Sequence, residues 1–200
     1  MELYYFATAK LWHLINYSSI PDITVAGIAA AVSNNWVSIK EASQESDKLI
    51  EKFKKNTGVE GRWQASPYQT ASDFCFAAAE RLIAEKRINR EEIGVLVFVS
   101  QCTDYDEAPV TACVLQHRLG LPRECAAFDV NLGCSGFVYG VTITGSLLSC
   151  ANAQYGLLLA GDTPAREKSQ LEKLRLSHSS SMLFGDGGSA TLLKKLPGGV

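Results

Sequence analysis

No apolar stretch in this 200-residue sequence approaches the roughly 20 residues that a membrane-spanning helix requires. The opening MELYYFATAKLWHLINYSSIPD is interrupted by Glu2, Lys10 and His13 and has no small-residue cleavage site, so it does not read as a secretion signal. Dense Lys/Arg clusters are also missing. With 19 Lys+Arg against 21 Asp+Glu, a net charge of -2 and a pI near 5.9, the chain has no basic field with which to hold a polyanion. Six cysteines are present, but none stands in a CxxC or Cys/His ligand spacing, so neither a disulfide framework nor a metal site is indicated. Internal repeats, low-complexity tracts and long linkers are absent. Together these absences predict a soluble cytoplasmic protein that binds neither nucleic acid nor membrane.

What is present is core-forming material: 46% of the residues are hydrophobic, enough to bury a substantial core at this length. The run ITVAGIAAAV, Ile23 to Val32, is β-branched at its start and almost wholly apolar, as expected of a strand covered on both faces in a sheet interior. Helix-favouring sequence follows from Ser38 to Lys55, and Asn56-Thr57-Gly58 stops it. Residues 58–69 read as loop. A helix is expected from Ser72-Asp73 to Lys86, a strand over Ile93–Ser100, a Pro109-initiated helix to Leu119 and a strand over Cys125–Asn131. A further helix and the strand YGLLLAGD come next, then a last strand near Ser189–Leu193. This alternation predicts an α/β fold built on a mainly parallel mixed sheet, with helices packed on both faces. Residues 1–22 read as an N-terminal extension to a domain spanning 23–200.

One cysteine stands apart by context. In AAFDVNLGCSGFVYGVTITGSLLSC, Cys134 falls between a buried strand and the start of a helix. The first-turn N–H groups of a helix lack intrahelical partners, and with the helix dipole they favour negative charge. A thiolate, the form that attacks acyl carbonyls, is therefore favoured there. Gly133 and Gly136 flank the sulfur and leave room for a thioester to approach. The helix that follows carries no charged residue and is apolar on every side, which predicts a buried central helix. Such a setting would let fixed amides, the Cys134 N–H among them, stabilise an oxyanion.

AFDVNLGCSGF resembles the active-site segment of the β-ketoacyl-acyl-carrier-protein synthase III family of the thiolase-like superfamily, and LFGDGGSATLL resembles that family's second glycine-rich signature. The resemblance extends over Ile23 to Leu193 and implies the N-terminal half of a duplicated fold. It also implies a ping-pong reaction: Cys134 is acylated, and a malonyl carrier thioester then decarboxylates and condenses with the acyl group. The implied setting is fatty acid or related biosynthesis. Acyl carrier protein or coenzyme A would deliver the acyl and malonyl groups, no cofactor would be tightly bound, and the chain would form a homodimer.

By the same resemblance, Phe137, His178 and Phe184 are candidate substrate-binding residues, while Lys52, Lys54, Lys55 and Asn56 are candidates for contact with an acidic carrier protein. Where the family carries a Trp and an Arg in a WIxxRTGI-like motif, this sequence has Lys52 and Asn56; His178 stands where the best-known bacterial members have another Arg. Losing an aromatic surface and a phosphate-binding guanidinium weakens a nucleotide-bearing donor more than a protein-borne one. Asp186 is expected to accept backbone N–H bonds in a buried loop rather than to react. The family's catalytic His and Asn belong to its second half, and neither is transferred onto His13, His117 or His178. Two other readings compete: a truncated, catalytically silent homologue acting as a dimerising partner or scaffold, and a cysteine hydrolase, for which the GxSxG spacing is missing.

Overall fold

The structure, a computed structural model, describes residues 20–43, 45–105, 108–165 and 182–196. Most of the expected N-terminal extension, with His13, lies outside the described residues, as does His178. The chain runs β1 (Ile23–Val32), β2 (Trp36–Ser38), α1 (Ile39–Ala42), α2 (Asp47–Thr57), β3 (Gly61–Trp63), α3 (Ala71–Lys86), β4 (Ile93–Val99), α4 (Thr111–Arg118), β5 (Ala126–Val130), α5 (Gly136–Cys150), β6 (Tyr155–Asp162) and β7 (Gly187–Lys195).

β4 is apolar throughout because both its faces are covered. Leu96 and Phe98 pack with Ala78, Leu82 and Leu115 beneath α3 and α4, while Val95, Val97 and Val99 pack with Leu148 and Leu158 beneath α5. Helices therefore lie on both faces of the sheet, as its composition predicts. The strand order is β1-β7-β6-β4-β5. β4 pairs in parallel with β5 and β6, and β7 runs antiparallel to both β6 and β1. Of these five strands only β7 is reversed, so the C-terminal ends of β1, β4, β5 and β6 gather at one pole.

Three expectations are corrected. Ile23–Val32 forms a strand, but at the sheet edge, paired only with β7. Ala26, Ala29 and Ala31 pack against the α3 side, while Val25, Ile28 and Val32 remain exposed. An apolar run records a tendency to be covered, yet beyond Ile23, which packs on the α5 side, no described element covers the outer face of β1. The helix expected over Ser38–Lys55 is two helices. Ser43 adopts an extended backbone and its hydroxyl accepts the Glu45 N–H at 3.1 Å, a local bond that competes with helix continuation. Finally, the stretch read as loop contains β3, which pairs with β2 in a separate two-stranded ladder.

α5 departs from expectation in a different way. Gly136, Gly140, Thr144 and Leu148, spaced four apart, are its buried seam, which packs on β4 and β6. At Gly140 the helix comes so near the sheet that a Cβ would lie 2.6 Å from Leu158 Cδ1 and 2.9 Å from Val99 Cγ2. Its other side, with Phe137, Val138, Tyr139 and Leu147, is exposed. A helix apolar on every side calls for a second covering layer, and none is found among the described residues.

The seam makes a stability prediction. Gly140→Ala returns about 1 kcal/mol of helix propensity, but the methyl must push two buried side chains aside at a cost of about 1–3 kcal/mol. Urea unfolding should show a lower midpoint for the variant.

Candidate active site

In open α/β sheets ligands bind outside the carboxyl ends of the strands, where connecting loops converge. Here that pole opens into a cavity of about 740 Å³. The turn after β5 contributes Gly133 and Cys134, the end of β4 contributes Gln101 and Cys102, and β6 contributes Asp162. Val32, Trp36, Trp63, Leu183 and Phe184 supply much of the apolar wall. The volume lies within the usual range for small-molecule sites.

Cys134 is exposed and immediately precedes Ser135, the N-cap of α5. The Gly136 N–H donates to the Gly133 carbonyl at 2.7 Å, closing a tight turn whose corner residues are Cys134 and Ser135. Cys134 is thus an exposed residue on the cavity lining, just before the first turn of α5. Gly133 lies close against the Gln101 side chain, so the chain leaving β4 and the Gly133–Gly136 turn are in direct contact.

Two carboxylates brace this pole. Asp162 Oδ1 accepts from Ser100 Oγ at 2.8 Å, from the Gln101 N–H at 2.7 Å and from the Cys102 N–H at 3.0 Å, which fixes the chain as it leaves β4. Asp186, 3% exposed, accepts the Ala65 N–H at 2.8 Å on one oxygen and the Ala165 N–H at 2.7 Å on the other. Its own N–H donates to the Trp63 carbonyl at 2.8 Å. Buried Arg62 donates from Nη1 to the Phe184 carbonyl at 3.4 Å. Burial pulls its pKa down, and the nearby Asp186 charge opposes that shift. Both carboxylates shape the cavity from within the scaffold, as the sequence reading expects of Asp186.

The six thiols divide sharply. Burial pushes Cys75 up to about 12 and Cys125 up to about 11. Cys102, on the cavity wall, is raised to about 11 by burial and by the Asp162 carboxylate. These three stay protonated at neutral pH. Cys113 and Cys150 are exposed but do not line the cavity. Cys134 alone combines exposure with a place on that wall.

Of the other sequence candidates, Phe184 lines the cavity with Cys134, whereas Phe137 is on the exposed side of α5 and is not part of its lining. Lys52, Lys54, Lys55 and Asn56 belong to α2 and do not reach the wall. α2 packs through Ile50 and Phe53 against Ile39 and Met182, and the chain leaving it supplies Val59 to the cavity. Lys54 pairs with Glu60 at 3.0 Å. His117 is exposed on α4, away from the cavity. The sequence reading missed Trp36, Arg62, Trp63, Gln101, Cys102 and Asp162. Asp162 carried a usable signal, a lone carboxylate ending the apolar strand YGLLLAGD; the two tryptophans, far apart in stretches without periodicity, carried almost none. Among the described residues no cluster of His, Cys, Asp and Glu could hold a metal ion, and no helix is long and apolar enough to cross a membrane.

The profile of the family described as 3-oxoacyl-[acyl-carrier-protein (ACP)] synthase III matches residues 128–199, the stretch that holds Cys134, α5 and the Asp186 loop. A β-ketoacyl-acyl-carrier-protein synthase III from Neisseria gonorrhoeae is 29% identical over 169 residues, covering 84% of this chain and 51% of that protein. The crystal structure of a 3-oxoacyl-acyl-carrier-protein synthase from Burkholderia xenovorans superposes with a TM-score of 0.80 at 32% identity, over 88% of this chain and 49% of the other. OleA from Xanthomonas campestris shares the fold at 24% identity, with a TM-score of 0.74 over 88% of this chain and 57% of its own. The chain spans about half the length of the curated relatives it matches.

The buried thiols predict a loss of stability in alkali. In the unfolded chain a thiol ionises near 8.5, whereas Cys75 holds its proton to about 12. Above about pH 8.5 the unfolded state therefore binds fewer protons than the native state, and stability falls as pH rises. Urea midpoints measured between pH 8 and pH 11 should decline, and Cys75→Ala should make the decline shallower.

Proposed function

This chain belongs to the β-ketoacyl-acyl-carrier-protein synthase III family, of whose length it spans about half, and on that premise we propose that Cys134 accepts an acyl group from a carrier-bound thioester. The observation that carries the proposal is exposed Cys134 at the start of α5, on the wall of a cavity of about 740 Å³. The thiolate attacks the acyl carbonyl, a new bond forms from Sγ to the acyl carbon, the donor's carbon–sulfur bond breaks, and the donor thiol leaves with a proton. First-turn amides of α5 favour the oxyanion formed on the way.

In the second half-reaction a malonyl carrier thioester loses carbon dioxide. The resulting enolate attacks the acyl-Cys134, the carbon–sulfur bond to Cys134 breaks and a carbon–carbon bond forms. Decarboxylation needs a partner for the enolate oxygen, and no histidine among the described residues lines the cavity. Our reading assigns acyl capture to this half of the family's length, and places the reaction in fatty acid or related biosynthesis in the cytoplasm. Residues 23–200 act as one thiolase-like unit after a 22-residue extension.

Acyl carrier protein is the proposed donor, and its docking surface is the basic end of α2, beside the cavity wall. Lys52 and Lys55 are exposed there, and an acidic partner would be steered by them. A second copy of the chain is the proposed oligomeric partner; β5 at the sheet edge and the exposed apolar residues of α5 support that reading.

Incubation with hexanoyl-pantetheine should add one acyl group, found by intact-mass and peptide mass spectrometry on Cys134 and lost in Cys134→Ala. An unmodified Cys134 would remove the proposal. The lysines are tested separately. Lys52→Glu with Lys55→Glu should raise KM for a carrier-borne donor several-fold, in keeping with the loss of rim charges, while acylation by free pantetheine thioesters stays as it was.

A further inference from the structure

Trp36 and Trp63 are direct cross-strand partners in the β2–β3 ladder, with ring centroids 5.0 Å apart and planes inclined at 68°. Such a pair stabilises a two-stranded ladder wherever its rings point. Here both rings line the cavity that contains Cys134, and they remain 49% and 37% exposed. The Trp36 indole also has a fixed seat. It lies across Gly61, where a Cβ would come within 2.5 Å of Cζ2 and 2.7 Å of Cε2, so only glycine lets the ring settle between that backbone and Trp63.

The charged lining groups face the scaffold. Asp162 is occupied by the end of β4, Asp186 by Ala65 and Ala165, and the Arg62 guanidinium donates to the Phe184 carbonyl. What the described wall offers an occupant is mostly aromatic and aliphatic surface, to which Phe184 and Leu183 add, with the exposed Gln101 side chain as a neutral polar group. An uncharged chain gains by burying itself there, whereas a carboxylate would lose hydration that the neutral Gln101 amide replaces only in part.

Resting on the reading of Cys134 as an acyl acceptor, we propose that the Trp36–Trp63 pair is the specificity element of the cavity. It admits an uncharged apolar acyl group, and the clamped Trp36 indole limits that group's size. The pair acts on the choice of acyl group and not on the bond-making step.

The test compares rates of Cys134 acylation in the 200-residue protein, its Trp36→Ala variant and its Trp36→Phe variant. The donors are butyryl-, octanoyl-, dodecanoyl- and 7-carboxyheptanoyl-pantetheine. In the unsubstituted protein the carboxylate-ended chain should react at least about tenfold more slowly than octanoyl. Trp36→Ala should raise the dodecanoyl-to-octanoyl rate ratio by about tenfold or more, with Trp36→Phe intermediate. A pair that only stabilises the ladder would change the urea midpoint and leave the ratios of rates alone, and that result would overturn the inference. Gly61→Ala, which displaces the indole without truncating it, gives a second reading should Trp36→Ala fail to fold. Binding is read independently through quenching of indole emission by the unreactive octanoyl-pantetheine amide. Quenching without any Cys134 adduct would sink the acyl-acceptor reading and leave the aromatic selection standing; absence of both would sink the two together.

Discussion

The carboxylate of Asp186 is the tie on which the site depends. Its two oxygens take the backbone N–H groups of Ala65 and Ala165, and its own N–H reaches the Trp63 carbonyl. One buried side chain thereby joins the segment after β3 to the segment after β6 and the strand entry of β7, Ala65 lying 121 residues before Asp186 and Ala165 lying 21 before it. A buried carboxylate is tolerated only where hydrogen bonds and an opposite charge offset its lost hydration. The two amides and the neighbouring Arg62 guanidinium provide that offset. The β2–β3 ladder, which carries both tryptophans, is held by this tie together with the bonds from Gln64 to the Ala165 carbonyl and from Arg62 to the Phe184 carbonyl.

Asp162 does the complementary work on the other wall, holding the chain where it leaves β4 so that Gln101 sits against Gly133 and the turn that carries Cys134. Beneath that turn α5 is seated on Val99 and Leu158 through its buried seam, so the height of Cys134 above the sheet is set by side chains that are not themselves reactive. The same burial that stabilises the core silences three of the six thiols. Cys102 shows the contrast best: it shares the wall with Cys134, yet burial and the Asp162 carboxylate hold its proton in place.

The exposed side of α5 and the open face of β1 bear on how far this half-length chain can act. A helix apolar all round, lying on a sheet by one face only, presents surface that water solvates poorly. That surface, the half-length match to curated relatives and the lack of a cavity histidine among the described residues are mutually consistent. They accord with the proposed division of the reaction, in which this half of the family's length captures the acyl group and condensation needs a further set of groups.

Much of this was legible along the chain. The strands near 93–100 and 125–131, the helix ending at Lys86 and the nucleophile turn at Cys134 follow from patterns a few residues long: apolar runs, caps, and glycines beside a cysteine. Local periodicity and turn chemistry act over such distances, which is why these elements stood where expected and why the context of Cys134 sets it apart from the other five thiols. The edge position of β1, the open face of α5, the protonated state of Cys102 and the meeting of Trp36 with Trp63 beside Phe184 were decided only in three dimensions. Each depends on which segments the sheet order brings together, and a carboxylate bond such as that of Asp186 to Ala65 spans a sequence distance over which no periodicity carries information.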